Sequence, residues 1–518
     1  MEFIRKIVEN GRKHPERIAY RLALAGPEGA LTWGELIRQS GRLAGWMEAN
    51  LRSHEPVVVY GHKAPDMIVS FLACIRSGRG YCPIDTSVPA DRARAIVDDL
   101  QPELILMPEA AYGEEAQTVT EGRRTLSGAA IREQSAGCPE EIPAGQALKP
   151  EEVCYLIYTS GSTGTPKGVQ ITAQCLQNFI HWGMTLGAGI SEAEADAGIT
   201  FLNQAPFSFD LSVMDLYLFL YSGGTLYALP KSVQGDAAAL MKALRESDVQ
   251  FWVSTPSFAE VCLADPGFGR EAMRRMQRFA FCGETLPPAT VRRLMQAFPG
   301  AEVVNTYGPT ESTVAVTDVT VTEDILEKWD PLPVGSAKPG TQIRILGEDG
   351  AYLPEGERGE VIIVGDTVSP GYRNNPEKTQ KAFFTVTEGE ETLRAYHTGD
   401  KGYLLEGQLF YCGRIDLQIK LHGYRIELED IENNLNKLEN VERAAVLPKE
   451  KDGVIRSLTA YVLPVEKPEN AFAAAQELRT QAKKYLPDYM IPKKIVFVDE
   501  MPMTTNGKVD RRSLGQDR

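Results

Sequence analysis

Over the first 110 residues the apolar positions switch repeatedly between helical and extended periods. Thr32 and Glu35 frame a capping box ahead of a helix whose apolar face carries Leu36, Leu43 and Met47. Val57-Val58-Val59-Tyr60 reads as a short buried strand, Met67 to Ile75 as an apolar helical stretch, and Tyr81 opens another extended segment. This strand–helix–strand alternation predicts an α/β fold. Residues 111–150, rich in Ala, Gly, Glu and Thr, read as a long surface excursion. Val153 to Tyr158 is a strand that runs into a Gly/Ser/Thr loop, and the alternation continues to about residue 320. From 333 to 412 the pattern turns to strands with Gly and Pro punctuation, clearest at Val361-Ile362-Ile363-Val364. After Arg414 it changes again. Leu428, Ile431, Leu435 and Leu438 share one helical face, strands follow near 442–447 and 457–463, then a helix over 471–485 and a strand over 494–498.

A chain of 518 residues exceeds one ordinary core, so the change of pattern predicts a large body followed by a small α+β domain. Hydrophobic content of 43% and charged content of 24% suit a soluble globular protein. There is no 18-residue uncharged apolar run, and Met1-Glu2-Phe3-Ile4-Arg5-Lys6 lacks the layout of a signal peptide. The eight cysteines form no C-x-x-C pair, and Cys74, Cys154 and Cys262 lie in apolar runs, which suits reduced thiols in the cytoplasm. The six histidines show no metal-binding spacing. With 55 Lys and Arg against 70 Asp and Glu, the net charge of −15 argues against nucleic-acid binding. A local cradle can still hold a polyphosphate. Lys483-Lys484, Lys493-Lys494 and Arg511-Arg512 read as solvated surface.

The densest chemical signal is Tyr158-Thr159-Ser160-Gly161-Ser162-Thr163-Gly164-Thr165-Pro166-Lys167-Gly168. Three glycines and five Ser and Thr residues after a strand offer many N–H and O–H donors to phosphate oxygens. It is not a Walker loop, because Gly168 rather than Ser or Thr follows Lys167. The string resembles the phosphate loop of the adenylate-forming superfamily, and further motifs arrive in that superfamily's order. Asn305-Thr306-Tyr307-Gly308-Pro309-Thr310-Glu311 resembles the adenine and magnesium segment, Tyr396-His397-Thr398-Gly399-Asp400 the ribose segment and Tyr411-Cys412-Gly413-Arg414 its neighbouring wall.

The resemblance implies a multi-sheet adenylate-forming domain over residues 1–415 and a mobile C-terminal domain over 416–518. It implies that Thr159 and Ser160 bind ATP, that Tyr307 stacks on adenine, that Thr310 contacts the α-phosphate, and that Glu311 holds Mg²⁺. Asp400 would accept from both ribose hydroxyls, with Arg414 near ribose and phosphate. Asp416 would be the hinge, and Met503-Thr504-Thr505-Asn506-Gly507-Lys508 the loop delivering catalytic Lys508 to ATP and substrate. Lys420 and Gly423 would enter the site after the domain swings, when a pantetheine thiol attacks the activated carbonyl.

The substrate is addressed by Phe209-Asp210-Leu211-Ser212-Val213-Met214-Asp215 and Phe281-Cys282-Gly283-Glu284. Asp210 can cap the helix that begins at Leu211. In amino-acid-adenylating members the matching aspartate receives the α-ammonium. Leu211, Met214, Cys282, Thr306, Val314 and Ala315 would line the side-chain end, and two bulky residues make that end shallow. These strings are similar to the branch that activates D-alanine, where the cysteine crowds the α-carbon, and that loads it on a separate phosphopantetheinylated carrier protein for teichoic acid D-alanylation. The resemblance implies a cytoplasmic monomer that uses ATP and Mg²⁺. A stand-alone peptide-synthetase adenylation domain for glycine or L-alanine, an acyl-CoA ligase, and an inactive nucleotide-binding regulator are the rival readings.

Overall fold

A computed structural model describes residues 1–109, 112–141, 145–160, 166–415, 417–451, 454–503 and 509–514. The helix Leu211–Ser222 has eleven of its twelve residues buried, so it must be covered on every side. It lies against the helices Glu2–Lys13 and Ala173–Gly183 and against the strands Thr200–Asn203 and Phe251–Ser254.

Two large sheets build the N-terminal body. In one of nine strands, Thr225–Ala228, Thr200–Asn203, Phe251–Ser254, Arg278–Phe281 and Glu302–Tyr307 pair in parallel in that order. Phe251–Ser254 is buried at every position, as suits a strand covered on both faces. In the second, of seven strands, Val57–Tyr60 lies parallel between Tyr81–Ile84 and Ile105–Met107, and Val153–Thr159 pairs antiparallel with Lys167–Thr172. A third sheet of five strands centres on the long strand Glu391–Leu405, which pairs with Gly359–Gly365, Phe383–Glu388 and Gln408–Arg414.

The hairpin Gln418–Leu421/Tyr424–Glu427 follows, then the helix Leu428–Leu435. Strands Val441–Lys451, Val454–Pro464 and Lys494–Phe497 form the last sheet, beside the helix Ala471–Ala482. Ile419, Ile426, Ile431, Leu435 and Leu458 belong to a core made only of residues between 419 and 497.

Most predicted elements are present. Thr32 and Glu35 form the capping box, and Leu36, Leu43 and Met47 are fully buried. Two expectations need correction. The segment 111–150 is not wholly a surface excursion: Thr125–Ser127 extends the seven-stranded sheet in parallel, and Leu126 and Ile131 join its core. A strand of three residues is too short to show a period of two. Leu438 is buried but lies beyond the helix that carries Leu428, Ile431 and Leu435.

Ile431 is fully buried in the last core. Ile431→Ala is therefore expected to cost about 2–5 kcal/mol. Hydrogen exchange should show lost protection confined to residues 419–497, with Arg278–Phe281 still protected. Uniform loss would show that the two cores open as one unit.

Candidate active site

Asn203, Ser254, Phe281 and Tyr307 end, or nearly end, parallel strands of the nine-stranded sheet. A crevice at the carboxyl edge of such a sheet is where open α/β folds place ligands. The residues that follow, Thr255, Cys282, Gly308 and the segment to Asp210, converge there. The two large sheets are joined beside it. Lys63, just after Val57–Tyr60, donates to Asn203 Oδ1 and to Ala205 O at 2.5 Å, and Asn203 donates to Asp215 Oδ1 at 2.8 Å. Burial lowers the Lys63 pKa to about 7 and pushes Asp215 well up. This cluster seats the helix that begins just after Asp210.

Asp210 is the N-cap residue of that helix, yet its side chain makes no capping bond. Its Oδ2 instead accepts from Thr310 Oγ1 at 2.6 Å. Burial raises its pKa, against the lowering by Thr310 and Lys420. A cavity of about 30 Å³ is walled by Asp210, Leu211, Cys282, Gly308, Pro309, Thr310 and Val314, among others. Cys282 Sγ lies 3.8 Å from Val314 O, and burial pushes its thiol pKa up. Met214 does not line this cavity: it is fully buried in the core, one turn along the helix from Asp210. Thr306 and Ala315 are buried nearby, with Thr306 on the wall of a larger cavity.

That larger cavity, about 530 Å³, is walled by Asn305, Thr306, Tyr307, Tyr411, Cys412, Gly413 and Arg414. The Tyr307 and Tyr411 rings stand 6.0 Å apart. Asp400 and Arg414 are cross-strand partners: Arg414 Nη1 donates to Asp400 Oδ1 at 2.8 Å, and Tyr307 OH donates to Asp400 Oδ2 at 2.6 Å. Each carboxylate oxygen keeps a further lone pair for a hydroxyl.

Glu311 has no exposed surface. Tyr372 OH donates to its Oε1 at 2.8 Å, Lys167 Nζ stands 3.8 Å from the same oxygen, and Arg425 Nη1 donates to Oε2 at 2.5 Å. Burial raises its pKa, but Arg425, Lys167 and Tyr372 outweigh that and hold it at about 2. Burial in turn lowers Lys167 to about 8. Arg425 belongs to the Gln418–Glu427 hairpin, which thus reaches into the site. Ser160 Oγ donates to Arg425 O at 2.8 Å and accepts from Glu427 N, so the hairpin occupies the hydroxyl expected for phosphate. Thr159 Oγ1 is buried without a hydrogen-bond partner among the described residues. Lys420 Nζ lies 5.8 Å from the Tyr307 ring centre. A cavity of about 80 Å³ is lined by Ser87, Arg92, Thr310, Tyr424 and Tyr489, among others.

The AMP-binding enzyme profile matches residues 7–373, and the AMP-binding enzyme C-terminal domain profile matches 430–508. The chain belongs to the AMP-binding enzyme family. It is 45% identical over 518 residues to the D-alanine–D-alanyl carrier protein ligase of Bacillus licheniformis, covering 99% of each chain. It is 43% identical to the enzyme of the same name from Bacillus cereus, covering 98% of this chain and 99% of that one. Among solved structures, an NRPS protein containing adenylation and PCP domains, bound to a vinylsulfonamide inhibitor, aligns with TM-score 0.81 at 26% identity, over 99% of this chain and 83% of that one. The Vibrio cholerae adenylation domain AlmE aligns with TM-score 0.82 over 99% and 97%, at 22% identity, and shows the shared fold.

In this AMP-binding enzyme the predicted site residues Asp210, Leu211, Cys282, Val314, Gly308, Pro309, Thr310, Asp400 and Arg414 face one small cavity. Lys508, its loop from Thr504, the hinge candidate Asp416 and the phosphate-loop residues 161–165 lie outside the described residues. Sequence reasoning missed Arg425, Tyr372 and the role of Lys167 beside Glu311. Arg425 stands next to the flagged Lys420 and Gly423, and that adjacency was the available signal.

Because the Glu311 pKa is depressed from 4.5 to about 2, its contribution is present above pH 4.5 and is lost as pH falls toward 2. Urea midpoints measured from pH 5 to 2 should fall less steeply for Glu311→Gln than for the unaltered chain. Identical slopes would show that the Arg425 and Lys167 contacts contribute nothing to folding.

Proposed function

We propose that this chain activates D-alanine with ATP to D-alanyl-AMP and transfers it to the phosphopantetheine thiol of a separate carrier protein. One observation carries the substrate reading. Asp210 is a buried carboxylate that declines its local role as helix cap and faces a small cavity beside Cys282. A buried anion facing a cavity suits an α-ammonium, and the small volume beside Leu211, Cys282 and Val314 suits a small side chain. The two Bacillus relatives are named for ligating D-alanine to a D-alanyl carrier protein, which supports the reading.

In this reading an oxygen of the substrate carboxylate bonds to the α-phosphorus and pyrophosphate leaves. Thr310 is within reach of both Asp210 and that oxygen's path, and Lys508 brings a cation to the developing charge. Tyr307, Asp400, Tyr411, Cys412, Gly413 and Arg414 hold the nucleoside. The unpartnered hydroxyl of Thr159 fits a phosphate oxygen. Mg²⁺ would supply charge neutralisation on the phosphates when bound. Glu311 would supply an oxygen ligand, its carboxylate being held ionised down to about pH 2, in exchange for the Arg425 contact on Oε2. Among the described residues no cluster of three or more His, Cys, Asp or Glu side chains stands together, so the remaining ligands would come from substrate and water.

In the second step the thiol sulfur bonds to the carbonyl carbon and AMP leaves. The hairpin with Lys420 and Arg425 already covers the site, and the Ser87–Tyr489 cavity offers the thiol a path to Thr310. This is the arrangement suited to transfer, with a pivot at Asp416 separating it from the one that delivers Lys508. Cys282 beside the α-carbon would set the preference for the D-isomer. The chain would act in the cytoplasm, as a monomer, to supply teichoic acid D-alanylation. Among the described residues no helix is long and apolar enough to cross a membrane.

Amino-acid-dependent exchange of pyrophosphate into ATP tests the reading over D-Ala, L-Ala, Gly, D-Ser and acetate. D-Ala should lead L-Ala by roughly 10–200-fold in kcat/KM, the worth of one methyl placement. Asp210→Ala should raise the D-Ala KM strongly while ATP affinity is retained. Exchange driven best by Gly or by acetate would contradict the proposal.

A further inference from the structure

The tip of the Gln418–Glu427 hairpin is the two-residue turn His422-Gly423, with both residues in the left-handed region at φ 53° and 79°. In such a turn the amide of the second residue points away from the ladder and needs an outside acceptor. Glu284 supplies it. Its Oε1 accepts from Gly423 N at 2.9 Å, while its Oε2 accepts from Ser257 N at 3.0 Å and from the Ser257 hydroxyl. One carboxylate therefore joins the nine-stranded sheet to the C-terminal hairpin. The fit is close: a Cβ added at Gly423 would fall 2.3 Å from Thr255 Cγ2 and 3.3 Å from the Phe209 ring. The helix Pro256–Leu263 does not rely on Glu284 alone, because the Thr255 side chain accepts from Phe258 N.

The consequence lies on either side of the turn. Lys420 precedes it and stands over Tyr307, and Arg425 follows it and holds Glu311. Fixing the turn fixes both cations relative to the cavity. We propose that Glu284 is a positioning residue for thiol transfer: its carboxylate grips the Gly423 amide and holds the hairpin over the activated acyl group. The inference rests on the two-step reaction proposed above. Gly423 lies beyond the expected pivot at Asp416, so the grip belongs to the transfer arrangement and is released when Lys508 is delivered. Adenylation then has no need of it.

The test compares Glu284→Ala, Glu284→Gln and Ser257→Ala in the full chain. Two readouts are taken: D-Ala-dependent pyrophosphate exchange, and single-turnover transfer from preformed D-alanyl-AMP to a phosphopantetheine-loaded D-alanyl carrier protein. Loss of a charge-assisted bond should slow transfer on the order of tenfold in Glu284→Ala, with exchange within about twofold of the unaltered chain. Glu284→Gln, which keeps an acceptor oxygen, should recover most of the transfer rate, and Ser257→Ala should leave both readouts unchanged. Equal slowing of both half-reactions, or a Ser257→Ala variant that behaves like Glu284→Ala, would make Glu284 a structural cap and overturn the inference. So would transfer at the normal rate in Glu284→Ala. Should that variant fail to fold, Glu284→Asp, which keeps the charge but draws the carboxylate back from Gly423 N, decides by the same split: transfer slowed more than exchange supports the grip, and equal effects on the two overturn it. An unaltered chain that shows no exchange with D-Ala refutes the two-step reading itself, separately from any variant.

Discussion

A carboxylate with no exposed surface must be given a cation or lose its charge. Glu311 is that group here, and much of the site's arrangement follows from it. Lys167 and Tyr372 come from the seven-stranded sheet, Glu311 from the loop after Glu302–Tyr307, and Arg425 from the C-terminal hairpin. Two sheets of one N-terminal body and the C-terminal hairpin are drawn to one point. Lys167 is itself penalised by burial and stands 3.8 Å away, so Arg425, at 2.5 Å, is the closer counter-ion. The domain arrangement and the electrostatics of the site are thus one problem.

That coupling suits the two-step reaction proposed for this chain. Ser160, Glu284 and Glu311 of the N-terminal body each bond to the hairpin, through Arg425 O and Glu427 N, through Gly423 N, and through the Arg425 guanidinium. Further out, Arg92 pairs with Asp430 at 3.0 Å, Arg456 with Glu260 at 2.5 Å, and Tyr424 stacks between Phe209 and Tyr489. Of the two ion pairs, Arg456–Glu260 is the more exposed, and exposed pairs contribute little individually. The bonds to Glu311 and Glu284 are buried or partly buried, so they count for more. An interface built from polar contacts can be exchanged for water at a smaller cost than a wholly apolar one, as the proposed domain movement would require.

The readable parts of the sequence were those governed by local rules. Val57–Tyr60, the capping box at Thr32, and the helix through Ile431 follow from period and cap chemistry. Tyr307, Asp400 and Arg414, taken from three motifs of the expected order, join in one hydrogen-bonded group, helped by a β-rich stretch whose turn signals leave few ways to pair Glu391–Leu405 with Gln408–Arg414. Thr125–Ser127 was too short to carry a signal. Asp210 had two local readings, cap or ligand, and only the tertiary placement of Thr310, 100 residues on, separates them. Met214 shares the helix that Asp210 precedes, but lies one turn further along it, where it is fully buried in the core. Arg425 on Glu311 and Glu284 on Gly423 are contacts across more than a hundred residues, between elements whose relative placement no periodicity encodes.

The central claim is that the Arg425–Glu311 bond holds the hairpin over the site in the unliganded chain. Distance distributions between spin labels at Val261 and Phe472, both exposed, report it directly. The unaltered chain should give one narrow distribution, and Arg425→Ala should broaden it with a new population at a different separation. An identical narrow distribution in the two proteins would contradict the account.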